Sequence, residues 1–131
     1  MAKLPSFTPI TEGLNMGDLL KYEAPNLYSR DQVTVVAGQN LSLGSVVGTV
    51  TATGKIKVFD PSATDGSEVA AGVMIQPCDA ALADREDGLM IARHATVADH
   101  ALTWPTGITV AEKSLAIGQL KAIGVLVRKG V

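Results

Sequence analysis

Residues 31–60 read DQVTVVAGQNLSLGSVVGTVTATGKIKVFD, and apolar and polar side chains alternate along much of this stretch. Three pairs of apolar residues stand two positions apart: Val33 and Val35, Leu41 and Leu43, Ile56 and Val58. A period of two is typical of half-buried β-strands, and the many valines and threonines suit a pleated surface. Turn-forming triplets separate the pairs: Gly38-Gln39-Asn40 and Thr53-Gly54-Lys55. The stretch therefore predicts a β-rich body.

The rest of the chain adds strands to this body and one helix. Residues 68–75 and 89–97 are largely apolar and predict two buried strands. Residues 109–123 predict a helix that opens with a T-x-x-E capping box and stops before a glycine. The tail from residue 125 predicts a final strand. The fold class is mainly β: a small barrel-like body with one C-terminal α-helix and an extended N-terminal arm.

The N-terminal segment differs from the body in its prolines. Pro5, Pro9 and Pro25 exclude a long helix and favour extended backbone. An extended arm can add a strand to an exposed sheet edge, where backbone hydrogen bonds supply affinity. We therefore expect an extended arm over residues 1–30 and a β-rich domain over residues 31–131.

The composition argues against several kinds of partner. The 131 residues carry a formal net charge of −2, and only 4% are aromatic. Nucleic-acid binders instead show basic patches or aromatic stacking platforms. No apolar run reaches membrane-spanning length, and the start lacks the apolar core of a signal peptide. We expect a soluble protein without a signal peptide that binds neither nucleic acid nor membranes.

The segment FDPSATDGSEVAAGVM, residues 59–74, contains two aspartates that could suggest a metal loop. A calcium loop starting at Asp60 needs oxygen ligands at its third and fifth positions and glutamate at its twelfth. The twelfth residue is Ala71, so the match fails. Asp65-Gly66 is a common turn dipeptide. The sequence therefore predicts a turn here and no metal site.

Catalysis has little support in the sequence. Cys78, His94 and Asp99 form a nucleophilic triad only on paper, because no glycine-rich elbow or helix start adjoins the cysteine. Phosphate-binding, dinucleotide-binding and nucleophile-elbow motifs are absent from the sequence. We predict no enzyme, no catalytic residues, no cofactor and no small-molecule substrate. A hydrolase using Cys78 and His94 is kept as a minor alternative.

Trp104 and Pro105 form the other feature of interest, because Trp104 is the only tryptophan of the chain. Tryptophan is often largely buried, so a core role is one interpretation. A large, stiff Trp-Pro pair is also typical of an interface anchor. Both interpretations stay open on the sequence alone.

The order and spacing of the glycine and turn signals resemble those of the bacteriophage lambda-type head decoration proteins. The likeness covers about residues 17–129 and rests on six local matches: Ala37-Gly38-Gln39, Leu43-Gly44, Val47-Gly48, Ala63-Thr64-Asp65-Gly66, Ala70-Ala71-Gly72-Val73 and Trp104-Pro105-x-Gly107-Ile108. The resemblance implies a structural protein on the outer surface of the virion capsid, made in the host cytoplasm. It further implies a homotrimer at three-fold and quasi-three-fold positions that holds neighbouring copies of the major capsid protein against internal DNA pressure.

The resemblance also implies that the N-terminal arm becomes ordered on the capsid. The arm residues expected to bind it are Leu4, Pro5, Phe7, Thr8, Pro9, Ile10 and Leu14. Trp104 and Pro105 are expected at a trimer or capsid interface. Deletion of residues 1–20 is expected to leave a folded body that no longer holds capsids.

A carrier domain of a biotin- or lipoyl-dependent enzyme is the alternative from another class. The phrase GQNLSLGSVVGTV resembles the glycine-punctuated hairpins of such domains. A carrier needs an exposed lysine at a hairpin tip, and Lys55 is the candidate. Lys55 lacks the flanking methionine or acidic residue expected in that context, so the decoration protein is preferred.

Overall fold

The computed structural model describes residues 15–129, and its fold is mainly β, which confirms the predicted fold class. Strands make up 39% of the structure and helices 17%. The strands within the described residues are β1 (Leu20–Glu23), β2 (Arg30–Val35), β3 (Gln39–Leu41), β4 (Val46–Thr49), β5 (Ile56–Val58), β6 (Ala70–Met74), β7 (Cys78–Ala80), β8 (Arg85–Ile91), β9 (Ala95–Ala98) and β10 (Val125–Arg128). The helices there are α1 (Met16–Leu19), α2 (Val110–Ala122) and a 3-10 turn (Asp99–Ala101).

Five strands close into a barrel in the order β2-β5-β4-β6-β8. A second sheet has the order β1-β9-β10, with β1 antiparallel and β10 parallel to the central β9. Strands β3 and β7 pair antiparallel as a small third sheet. The barrel-like body predicted from the alternating stretch is therefore present, and the second sheet joins both ends of the described chain.

Neighbouring residues of the barrel strands belong to two different hydrophobic cores. Val46 lies in a larger core that also contains Phe59 and Leu120, whereas Val47 lies in the barrel core with Ile56. Val73 and Met74 on β6 divide between the cores in the same way, as do Ile91 and Met90 on β8. Because successive side chains of a strand point to opposite faces, β4, β6 and β8 each contribute side chains to both cores.

Helix α2 begins and ends where the sequence predicts. The Thr109 hydroxyl accepts a hydrogen bond from the Glu112 N–H at 3.1 Å, and the Glu112 carboxylate accepts one from the Thr109 N–H at 2.9 Å. Gly124 follows the helix with φ of 87°, a left-handed value that glycine adopts at low cost. The inner face of α2 buries Ala116 and Leu120.

The strand predicted over residues 89–97 is two strands in the structure. Strand β8 ends at Ile91 and β9 begins at Ala95. Between them His94 has φ of 48°, a left-handed conformation that breaks a strand. The chain thereby leaves the barrel and enters the second sheet, so one apolar run serves two sheets.

Residues 15–30, which the sequence interpretation assigns to the arm, are part of the folded body. Asn15 caps α1 through a reciprocal pair of hydrogen bonds with Asp18. Leu19 is 0% exposed in the larger core, and β1 pairs with β9. The seven arm residues named above lie within residues 1–14, outside the described residues, so their role stays a prediction.

Candidate binding surfaces

The residues considered for catalysis lie on three different elements: Cys78 on β7, His94 between β8 and β9, and Asp99 in the 3-10 turn. Cys78 is packed in the barrel core, and burial raises the pKa of its thiol above the ordinary range. A raised pKa keeps the sulfur protonated and unreactive at neutral pH. His94 lies instead in the exposed loop between β8 and β9, against two tyrosine rings. Among residues 15–129, no group of three or more His, Cys, Asp or Glu side chains is placed to hold a metal ion.

The acidic loop contains two turns, each held by an aspartate side chain. Oδ1 of Asp60 accepts hydrogen bonds from the N–H and the hydroxyl of Ser62, at 3.1 and 2.8 Å. Oδ1 of Asp65 accepts the same pair from Ser67, at 3.0 and 2.6 Å. This is the local side-chain geometry that favours aspartate in turns. The predicted turn is confirmed. The Asp60 carboxylate binds only within its turn in these contacts, whereas the Asp65 carboxylate also pairs with Lys57 on β5.

Substitution Asp65→Asn is expected to remove part of the acid sensitivity of the fold. The hydrogen bonds from the Ser67 hydroxyl and N–H, together with Lys57, lower the pKa of Asp65 from its ordinary value of 3.8 to about 2. Because the folded pKa is depressed, the stabilisation is present above about pH 4 and is lost as the pH falls toward about 2. Urea unfolding at pH 7 and near pH 2 should therefore show a deficit of the variant that shrinks in acid. An equal deficit at both pH values would contradict this role.

The structure shows the core role of Trp104, one of the two interpretations that the sequence left open. Trp104 is half-buried and packs against the larger core. Pro105 lines an open groove of about 340 Å³ between the loop from Val58 to Ser62 and the start of α2. The core role of Trp104 is therefore present in the structure, and an interface role of both residues stays a prediction.

An exposed aromatic patch lies beside the second sheet, and the sequence interpretation missed it. The aromatic patch consists of Tyr22, Leu27, Tyr28, Arg93 and His94. The Tyr22 and Tyr28 rings stand edge-on to the His94 ring, with centroid distances of 5.8 and 6.4 Å. The Arg93 guanidinium lies 5.5 Å from the centre of the Tyr28 ring. The sequence signal for this patch is that both tyrosines of a chain poor in aromatics fall within residues 22–28.

Helix α2 and the residue after it expose further apolar side chains. These side chains are Val110 and Leu115 on the helix and Ile123 just after it, and they are 80%, 54% and 37% exposed. A Cβ atom added to Gly118 would have no neighbour within 4 Å. Packing inside the described part of the chain thus does not explain a glycine in mid-helix.

Lys55 is engaged within the chain. Its ammonium group pairs with the Asp84 carboxylate, which also accepts a hydrogen bond from the Ala37 N–H at 2.8 Å. These contacts link the turn before β5 to the loop before β8. A carrier lysine must instead be free to receive and present its prosthetic group, so the geometry disfavours the carrier alternative.

Comparison with known families gives a match over most of the chain. The family model described as bacteriophage lambda head decoration protein D matches residues 9–125. No curated protein sequence gives a significant match. No helix among residues 15–129 is long and apolar enough to cross a membrane.

Proposed function

Because the chain belongs to the family of bacteriophage lambda head decoration protein D, a family of structural capsid-decorating proteins, we propose how it decorates the phage head. It binds the outer surface of the expanded head as a homotrimer, at three-fold and quasi-three-fold positions. There it contacts neighbouring copies of the major capsid protein and holds them together against internal DNA pressure. The match over residues 9–125 is the observation that carries the proposal.

The arm of this proposal is residues 1–14, shorter than the sequence interpretation suggested. Residues 15–30 take part in the body, so the binding segment precedes Asn15 and holds the seven predicted contact residues. A trimer presents three such arms at once. Linked binding segments raise the effective concentration of one another and can strengthen overall binding by about 10²- to 10⁴-fold.

The formal net charge of −2 favours a protein partner over packaged DNA, and ion pairs take up five of the ten lysines and arginines among residues 15–129. The described residues form five ion pairs: Arg30–Glu23, Lys55–Asp84, Lys57–Asp65, Arg85–Asp87 and Arg93–Asp31. DNA binding depends on unpaired basic side chains that neutralise phosphates. Here the arginines of the barrel and of the aromatic patch are already paired with carboxylates.

Selectivity for the expanded head follows from differential affinity. A ligand shifts or reports a conformational change only if it binds the two states unequally. A site that spans several copies of the capsid protein is complete only after those copies reach their final spacing. The protein therefore binds expanded heads and adds stability to that state alone.

The test is binding to matched heads before and after expansion. The full chain is mixed with undecorated heads of its own phage in both states, and bound copies are counted after sedimentation. Bound copies on expanded heads are expected at saturation in multiples of three, with little binding before expansion and higher resistance of decorated heads to heat. Equal binding to both states, or no binding to expanded heads, would contradict the proposal.

A further inference from the structure

We propose that the aromatic patch is a rigid docking surface for the major capsid protein, next to the arm. This inference rests on the proposed function and adds a second, folded contact to it. The patch supplies Tyr22, Leu27 and Tyr28 as contacting side chains, and Arg93 and His94 as their support.

The patch exposes large apolar and aromatic side chains to solvent instead of burying them in either core. Tyr22, Leu27 and Tyr28 are 50%, 64% and 59% exposed. They are three of the eight large apolar side chains exposed in the described residues, and all lie within one seven-residue stretch. Tyrosine and arginine are also the residue types enriched at the energetic centres of protein interfaces.

The backbone beneath the patch is strained. Within residues 15–129, the non-glycine residues with left-handed φ are Asn26 at 62°, Leu27 at 60° and His94 at 48°. A leucine in this conformation is disfavoured by its Cβ atom, and here its side chain points into solvent instead of into a core. Such strain persists only where the surroundings enforce it, and it concentrates at functional sites.

Hydrogen bonds hold the strained segment in place. The Ser29 hydroxyl accepts the Ala24 N–H at 2.9 Å and donates to the His94 carbonyl at 2.7 Å, and Ser29 is 0% exposed. Arg93 donates to the Tyr28 carbonyl at 2.7 Å and to the Asp31 carboxylate at 2.7 Å. The two loops are thus fastened to each other. A pre-ordered surface loses little conformational freedom when it binds.

The position of the patch indicates the major capsid protein as its occupant. Asn15 follows residues 1–14, and the chain then forms α1 and β1, which carries Tyr22. The guanidinium of Arg30, which follows Tyr28 closely in the chain, lies 3.6 Å from the Met16 sulfur. Only α1 and the start of β1 therefore separate the root of the arm from Tyr22, and a head that receives the arm lies within reach of the patch.

Size and charge agree with this assignment. A stable interface between two proteins buries roughly 800 Å² on each partner, more than three protruding side chains provide. The patch thus suits a contact that acts together with the arm better than an independent contact between subunits. Arg93 is paired with Asp31, so the patch offers stacking and apolar contact without a net basic charge for nucleic acid.

The decisive variant is Leu27→Gly, because it should improve the fold while it weakens docking. Glycine accepts the left-handed conformation at low cost, so the midpoint of thermal unfolding should equal or exceed that of the wild type. Affinity for expanded, undecorated heads should fall at least about tenfold, the change that marks an interface anchor.

The double variant Tyr22→Ala/Tyr28→Ala should show the same loss. Leu82→Ala is the control, since Leu82 is 99% exposed and lies outside the patch in the loop between β7 and β8.

The outcomes separate the patch from the proposed function. If the wild type binds expanded heads and both patch variants bind equally well, the patch proposal is overturned and the decoration function stands. If the patch variants change from trimers to monomers in solution, the patch is a subunit contact and its assignment to the capsid is overturned. Binding of the wild type to neither form of head would overturn the decoration function, and the patch proposal with it.

Discussion

Removal of residues 1–14 is expected to lower the affinity for expanded heads by about 10²- to 10⁴-fold, because a trimer then loses three linked contacts at once. The folded body should persist, since the buried core residues that the structure describes begin at Leu19. Sedimentation of the truncated chain with expanded heads gives the affinity, and circular dichroism gives the fold. Binding at wild-type affinity by a folded truncated chain would rule out the arm.

The position of the cut decides whether this experiment is informative. Deletion of residues 1–20 also removes α1 and Leu19, which is 0% exposed in the larger core. Loss of a buried leucine alone costs about 2–5 kcal/mol, so that longer truncation confounds binding with unfolding. A full-length variant with serine at Leu4, Phe7 and Ile10 keeps the arm backbone and tests the side chains. Retained binding by this variant would assign the contact to backbone strand addition.

Gly44→Ala is expected to destabilise the fold by about 4 kcal/mol, at the upper end of single substitutions. Gly44 has φ of 82°, and a Cβ atom there would overlap the carbonyl oxygen of Ala101. The backbone of Gly44 cannot shift freely to relieve this overlap, because both its N–H and its carbonyl are hydrogen-bonded. The Gly44 N–H donates to the Met74 carbonyl and its own carbonyl accepts from Thr103, both at 2.8 Å. The midpoint of thermal unfolding should fall by roughly 15 °C for a domain of this size.

Gly38→Ala is the matched control for this substitution. Gly38 also has a left-handed φ, 93°, but a Cβ atom there would meet nothing within 4 Å. It should therefore show only the conformational penalty of about 1–2 kcal/mol. A similar loss in both variants would mean that the close approach to Ala101 contributes little.

The elements that sequence analysis predicted well are those with a strong local signal. The alternation around Val33 and Val35 and the capping box at Thr109 each depend on neighbours within a few positions. The break at His94 escaped prediction because the residues on either side are apolar and suit one strand. Helix α1 escaped because four residues are too few to show a helical period. Its cap, Asn15 with Asp18, is a weaker signature than the T-x-x-E of α2.

The binding surfaces were less predictable, since the fold assembles them from distant segments. The resemblance pointed to capsid decoration, and the family match confirms that general role. The aromatic patch joins the loop after β1 to His94, and the hydrogen bond from Ser29 to His94 spans 65 residues. No pattern of neighbouring residues predicts a contact between segments so far apart in the chain. Trp104 drew attention as the only tryptophan, but its contacts with the larger core could not be derived from its neighbours in the chain.

The shared strands of the two cores bear on cooperativity. Strands β4, β6 and β8 each contribute side chains to both cores. Disruption of these strands in one core therefore disrupts the other core, and we expect both cores to unfold together. The chain carries a natural reporter for each: Trp104 fluorescence follows the larger core, and the reactivity of the single thiol, Cys78, follows the barrel core. Coincident transitions of the two signals are the mark of all-or-none unfolding. A capsid-decorating protein built in this way is expected to unfold at a single threshold, without a partly unfolded form at lower temperature.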